Sequence, residues 1–122
     1  MLIGSHTRPM EPNSVIHAAT IDLDHQPVRA DQSIRGEPTA AATAIDQFGG
    51  LEIGVWEMTP GVMRDVEADE VFVVLSGSAS VTFADGSPAL RLGVGDVVRL
   101  AAGAKTQWIV TETLRKVYLT GT

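Results

Sequence analysis

The sequence predicts an all-β fold, on three observations. From position 38 onward, short β-type runs are divided by turn residues, mostly glycines, every eight to twelve residues. After residue 46 no segment holds a helical period for three turns. Asp85-Gly86, set between Ser78–Phe83 and Leu90–Leu92, is a hairpin signal because both turn residues tolerate positive φ.

Taken in order, the breaks at Gly49-Gly50, Pro60-Gly61, Gly77, Asp85-Gly86, Gly93, Gly95 and Gly103 place strands near 39–46, 51–58, 70–75, 78–83, 89–92, 96–100, 107–111 and 115–120. The first is the least obvious. The alanines of Thr39–Ile45 favour helix, and Pro38 suits a first helical position, yet the segment reads as strand in this context. Arg64, Asp65, Glu67 and Asp69 form a charge run that reads as one surface loop. Eight strands with tight turns suggest a jelly roll, two sheets closed around an interior that commonly holds a ligand. Along 70–75, Glu70, Phe72 and Val74 share one face, and Val71, Val73 and Leu75 the other. A strand apolar on both faces is covered on both, so pairing of two copies through this sheet is expected. Residues 1–37 are polar and irregular, and read as an arm ahead of a domain at 38–122. Val15, Ile16, Ile21 and Leu23 are the arm residues fitted to dock on a sheet.

Length and composition set the class of partner. At 122 residues the chain fits one domain whose core needs no staple. Its lack of cysteine excludes disulfides, thiolate metal sites and a cysteine nucleophile, and is compatible with a reducing, cytoplasmic compartment. A net charge of -6 repels phosphate backbones and anionic lipid, so neither nucleic acid nor a membrane is an expected partner. The first twelve residues lack the apolar stretch of a secretory signal, and Val71–Leu75 is too short to span a bilayer.

Several motifs resemble the cupins. Glu70, six intervening residues and Gly77 look like the end of the first cupin motif, and Gly95-Asp96 through Gly103 looks like the second. Gly54-Val-Trp56-Glu57-Met-Thr59-Pro60-Gly61, Asp69-Glu70, Trp108 and Arg115-Lys116 are similar to small single-domain cupins. Those are related to the cupin halves of ureidoglycine aminohydrolase and to the ethanolamine-utilisation cupin. The resemblance covers about 38–120 and implies a cupin double-stranded β-helix. It departs where cupins bind metal. The two histidine positions of the first motif fall on Met63 and Asp65 or on Arg64 and Val66, and the histidine of the second falls on Thr106. All three histidines, His6, His17 and His25, lie in the arm. No cofactor is therefore expected. The alternative is manganese or another divalent ion held by Glu57, Asp65, Glu67, Asp69 and Glu70.

The resemblance implies that Lys116 faces the interior. Glu70 and Lys116 are then candidates for a catalytic acid/base or anion-binding pair, or for a buried ion pair that fixes the barrel. Trp56 and Trp108 offer flat walls to a small ligand or fill the core, and Thr106 points the same way as Trp108. Phe72, Tyr118 and Glu57 complete the candidate ligand-binding set. Arg99 and Arg115 read as exterior charges or dimer contacts. Three functions follow: a metal-independent pocket that binds or transforms a small polar metabolite, a metal-dependent hydrolase or lyase resembling the ureidoglycine aminohydrolase branch, or a non-catalytic sensor or assembly module.

Overall fold

A computed structural model describes residues 10–121. The first nine positions of the expected arm, His6 among them, lie outside the described residues. Nine strands follow in order: β1 (Gln26–Pro27), β2 (Ser33–Arg35), β3 (Thr39–Phe48), β4 (Leu51–Met58), β5 (Gly61–Val66), β6 (Glu70–Phe83), β7 (Leu90–Leu92), β8 (Val97–Leu100) and β9 (Lys105–Gly121). They form one curled antiparallel sheet with the path β1-β3-β4-β9-β5-β2, and β6 pairs β7, β8 and β9 off that path. No described helix is long and apolar enough to cross a membrane.

The spine is the pairing of β6 with β9. The first half of β6 lies between β8 and the end of β9, and its second half between β7 and the start of β9. Register shifts between Val74 and Ala79 bend both long strands, which curls the sheet around an interior. Gly77 sits in the bend at φ 88°, where a Cβ would fall 2.0 Å from the Thr113 carbonyl oxygen, so only glycine fits. This continuity corrects the expected breaks. The strands near 70–75 and 78–83 are one element, as are those near 107–111 and 115–120, because a bulge bends a ladder without ending it.

The alanine-rich segment is strand, paired with β4 through the two-residue Gly49-Gly50 turn, whose residues both have positive φ. The charge run read as one loop is corrected in its first half: Arg64 and Asp65 belong to a strand, whereas Glu67 and Asp69 lie in the loop between β5 and β6. Residues 61–66 form β5, hydrogen-bonded to β9 with Met63 opposite Trp108 and Asp65 opposite Thr106. Alternation then turns Met63 and Asp65 inward and leaves Arg64 and Val66 exposed. The core comprises Trp56, Met58, Phe72, Val74, Val81, Leu100, Trp108, Leu114 and Tyr118, each at most 2% exposed. Burying a large apolar side chain of this kind stabilises the fold by roughly 1.5–3 kcal/mol.

Candidate functional site

Two polar constructions sit on the inner wall. The deeper one is an ion pair. Lys116 on β9 lies opposite Trp56 of β4 on one side and Val74 of β6 on the other, so its side chain enters the barrel. Its Nζ donates to Glu70 Oε2 at 2.6 Å, and both side chains are 3% exposed. The ammonium also faces three rings, with centroids at 4.1 Å for Phe72 and 4.7 Å for both Trp56 and Trp108. The indoles of Trp56 and Trp108 pack 5.6 Å apart and Phe72 lies 5.7 Å from Trp108, closing an aromatic cage. Removing two charges from water is costly. The short hydrogen bond and a cation–π attraction of about 0.5–2 kcal/mol at each ring offset part of that cost.

The shallower construction is built on Glu67, between β5 and β6. Glu67 is 6% exposed. Its Oε2 accepts from Thr106 Oγ1 at 2.6 Å and from Trp108 Nε1 at 3.0 Å. Its backbone is fixed to the loop before β9, with Glu67 N donating to Ala104 O and Gly103 N donating to Glu67 O. Beside it, Asp65 Oδ1 accepts from Val66 N at 2.8 Å and Gln32 Nε2 at 3.4 Å. No hydrogen bond among the described residues reaches its other oxygen. Burial, and then the neighbouring Glu67 charge, push the Asp65 carboxyl above its ordinary value despite opposing help from Val66 N–H and Lys116. Above this floor lies a cleft of about 700 Å³, lined by Asp65, Thr106, Gln32, Arg64 and Lys105 among others.

The candidates drawn from the sequence are divided between these places. Glu70, Lys116, Trp56, Phe72, Trp108 and Tyr118 are brought together in the packed interior, and none of them lines the cleft. Thr106 alone of that set does. Tyr118 donates from its hydroxyl to Glu52 Oε2 at 3.0 Å; burial, then the Glu52 charge, raise its pKa. Glu57 points to the outer face, where Arg115 Nε donates to its Oε1 at 3.0 Å and His25 Nε2 to its Oε2 at 2.6 Å. Burial raises the Glu57 carboxyl, but the hydrogen bonds from Arg115 and His25 outweigh it and hold the group below the ordinary range.

The exterior reading of Arg115 is corrected. It is 8% exposed because the arm crosses it, and its Nη1 donates to the carbonyls of Ala18 and Ile21 at 2.9 and 2.8 Å. Arg99 is exterior as expected, 3.2 Å from Asp69. From the sequence, Asp65 and Glu67 are expected only as loop acids or oxygen ligands. The signal for them is the alternation of Met63 and Asp65 against Arg64 and Val66, masked by charge.

The inward turn of Met63 and Asp65 also fixes which spacing of the cupin motif applies. The positions of a cupin metal centre are Met63, Asp65, Glu70 and Thr106. These residues do not fit a divalent ion. Glu70 is held by an ammonium group, Thr106 uses its hydroxyl on Glu67, and Met63 presents a thioether unsuited to a hard cation. The other acids diverge, with Glu57 on the outer face and Asp69 accepting from Ala102 N and Arg99. No group of three or more potential ligands converges among the described residues.

A single curled sheet with a bent spine, short lateral strands and a polar group buried inside defines a cupin jelly roll. The family model of the EutQ-like cupin domain matches residues 46–118, and the chain belongs to that family. No curated protein matches it. Among solved structures, it is similar to the EutQ protein of Clostridium difficile, with 18% identity and a TM-score of 0.60 over 69% of this chain and 63% of that one. It is also similar to a protein of unknown function from Pseudomonas syringae pv. tomato, with 26% identity and a TM-score of 0.65 over 83% of this chain and 45% of that one. A cupin superfamily protein from Desulfitobacterium hafniense shares 16% identity at a TM-score of 0.60 over 93% of this chain and 94% of that one. The chain thus spans less than two thirds of the first two.

Proposed function

We propose that this cupin binds a small polar metabolite without a metal, and that the ligand enters at the barrel mouth over Asp65 and Thr106. One observation carries the reading. The cleft of about 700 Å³ opens onto Thr106 and Asp65, whose neighbour Glu67 is locked to the barrel by Thr106 and Trp108. That volume suits a small molecule, and few but fixed polar groups on a closed floor are what such sites use for orientation. In this reading any proton transfer falls to Asp65, with Glu67 as its electrostatic neighbour. Glu70 and Lys116 hold the wall behind them. The pair is proposed to act on a ligand through Trp108, whose ring faces the ammonium group and whose indole N–H is bonded to Glu67.

The packed cage also favours a second reading, a non-catalytic sensor whose barrel is filled by its own side chains. Both readings predict a pair of copies joined through the outer face, where Val97 is 69% exposed beside Val73. A cytoplasmic location suits the cysteine-free composition.

The test is an NMR titration of isotope-labelled protein with small acids, amines and amides, in buffer containing a chelator. Binding should shift the amides of residues 64–66 and 105–107 and the Trp108 indole N–H, which reports on Glu67. Titration that requires an added divalent ion would instead support the metal-dependent hydrolase or lyase reading. Silence of the cleft to every compound would support the sensor reading.

A further inference from the structure

We propose that the ligand of this cleft is a compact zwitterion, an amino acid whose ammonium and carboxylate groups are separated by a short chain. This rests on the reading of the cleft as the binding site and adds the chemical class. The charges that line it are sorted by sign and by place. Arg29 is satisfied by Asp31, with Nη2 donating at 2.5 Å and Nε at 3.1 Å, so this pair contributes little net charge. Arg64 and Lys105 remain. Neither belongs to an ion pair among the described residues, although the chain carries a net charge of -6.

The strand register brings these two cations together. Arg64 lies opposite Gln107 and Val66 opposite Lys105, so Arg64 and Lys105 are diagonal neighbours on one face of the β5–β9 ladder. Diagonal neighbours stand roughly 7–8 Å apart. Two like charges at that spacing repel, and an anion between them relieves the repulsion. Asp65 and Thr106 are directly opposed on the other face of the same ladder. Asp65 keeps an oxygen free of hydrogen bonds from the described residues and stands beside the buried Glu67, so this side favours a cation or an N–H donor.

The cleft reaches both sets, since Arg64 and Lys105 line it together with Asp65 and Thr106. A simple anion would satisfy the rim and be repelled by the floor. A simple amine would do the reverse. A molecule with both charges meets both, and because the two sets lie on opposite faces of one ladder, its charged ends must be separated by more than one carbon.

The probes are β-alanine and γ-aminobutyrate, with propionate and propylamine as single-charge controls, each titrated against the full chain by NMR. The zwitterions should shift residues 64–66 and 105–107 with at least tenfold higher affinity than either control. Asp65→Asn should reduce β-alanine to the affinity of propionate, and the double variant Arg64→Ala/Lys105→Ala should reduce it to that of propylamine. Circular dichroism checks that each variant is folded. Zwitterions binding no better than the controls would overturn this inference while leaving the cleft as a ligand site. Failure of all four probes would overturn it too, and the broader titration described above then decides whether the cleft binds anything.

Discussion

Lys116 is one of only two lysines in the chain, and it is placed where a charge is hardest to keep. Its worth to the fold is best judged by what its loss leaves behind. Lys116→Met would fill the cage with a side chain of similar length but strand the buried Glu70 carboxylate without its partner. A loss of about 3–5 kcal/mol is expected, the range for removing one partner of a buried pair. Adding Glu70→Gln removes the stranded charge, so the double variant should recover most of that loss. Urea unfolding of both variants measures it, and equal destabilisation would mean that the two side chains do not act as a pair.

Two other carboxylates respond to pH in opposite senses. The Asp65 pKa is raised in the folded state, so the folded chain binds more protons than the unfolded one, and stability falls as pH rises through that interval. Asp65→Asn should therefore raise the melting temperature at neutral pH, by a few degrees at most because the group is partly open to solvent. Glu57 is depressed, so its contribution is complete above the ordinary glutamate value of about 4.3 and disappears as pH falls through its lower folded value. Glu57→Gln should flatten the acid limb of the stability curve, measured by urea titrations at a series of pH values.

Among the elements, β4 illustrates how a strand is fitted to its neighbour. Gly54 lies opposite Tyr118, and a Cβ there would fall 2.2 Å from the tyrosine hydroxyl oxygen. Gly54→Ala should displace the ring and break its bond to Glu52, costing about 1–3 kcal/mol as overpacking of a core does. Thermal melts give the loss, and a fall in Tyr118 pKa would mark the displaced ring.

Elements also decide what is legible from sequence. Strands bounded by glycine turns, such as β4 with its Gly49-Gly50 hairpin, can be read directly because the turn chemistry is local. The inward set Glu70, Phe72, Lys116, Tyr118, Thr106 and Trp108 follows from alternation once the motif has set the register. β5 is hidden because an inward acid at Asp65 defeats the apolar alternation that marks a strand. The bends in β6 and β9 read as ends, since a bulge and a turn both place glycine or small polar residues in sequence. The aromatic cage cannot be read at all, because it depends on three strands meeting around one ammonium group.

For the whole molecule, the outer face grades from covered to open. Val55, Val117, Val73 and Val97 lie in one row across β4, β9, β6 and β8, from fully buried Val55 to Val97 at 69% exposure. The open end is where a second copy is proposed to sit. Val97→Glu would place a charge there without touching the interior, and should convert a dimer to a monomer in sedimentation velocity. An unchanged sedimentation coefficient would place the contact elsewhere.

Arg115 grips the crossing segment by the carbonyls of Ala18 and Ile21, groups that every amino acid supplies. Its hold is thus blind to side-chain identity at those two positions. Natural variation there is free to drift so long as the main-chain path is kept, whereas the guanidinium fork itself has no substitute of the same reach and geometry.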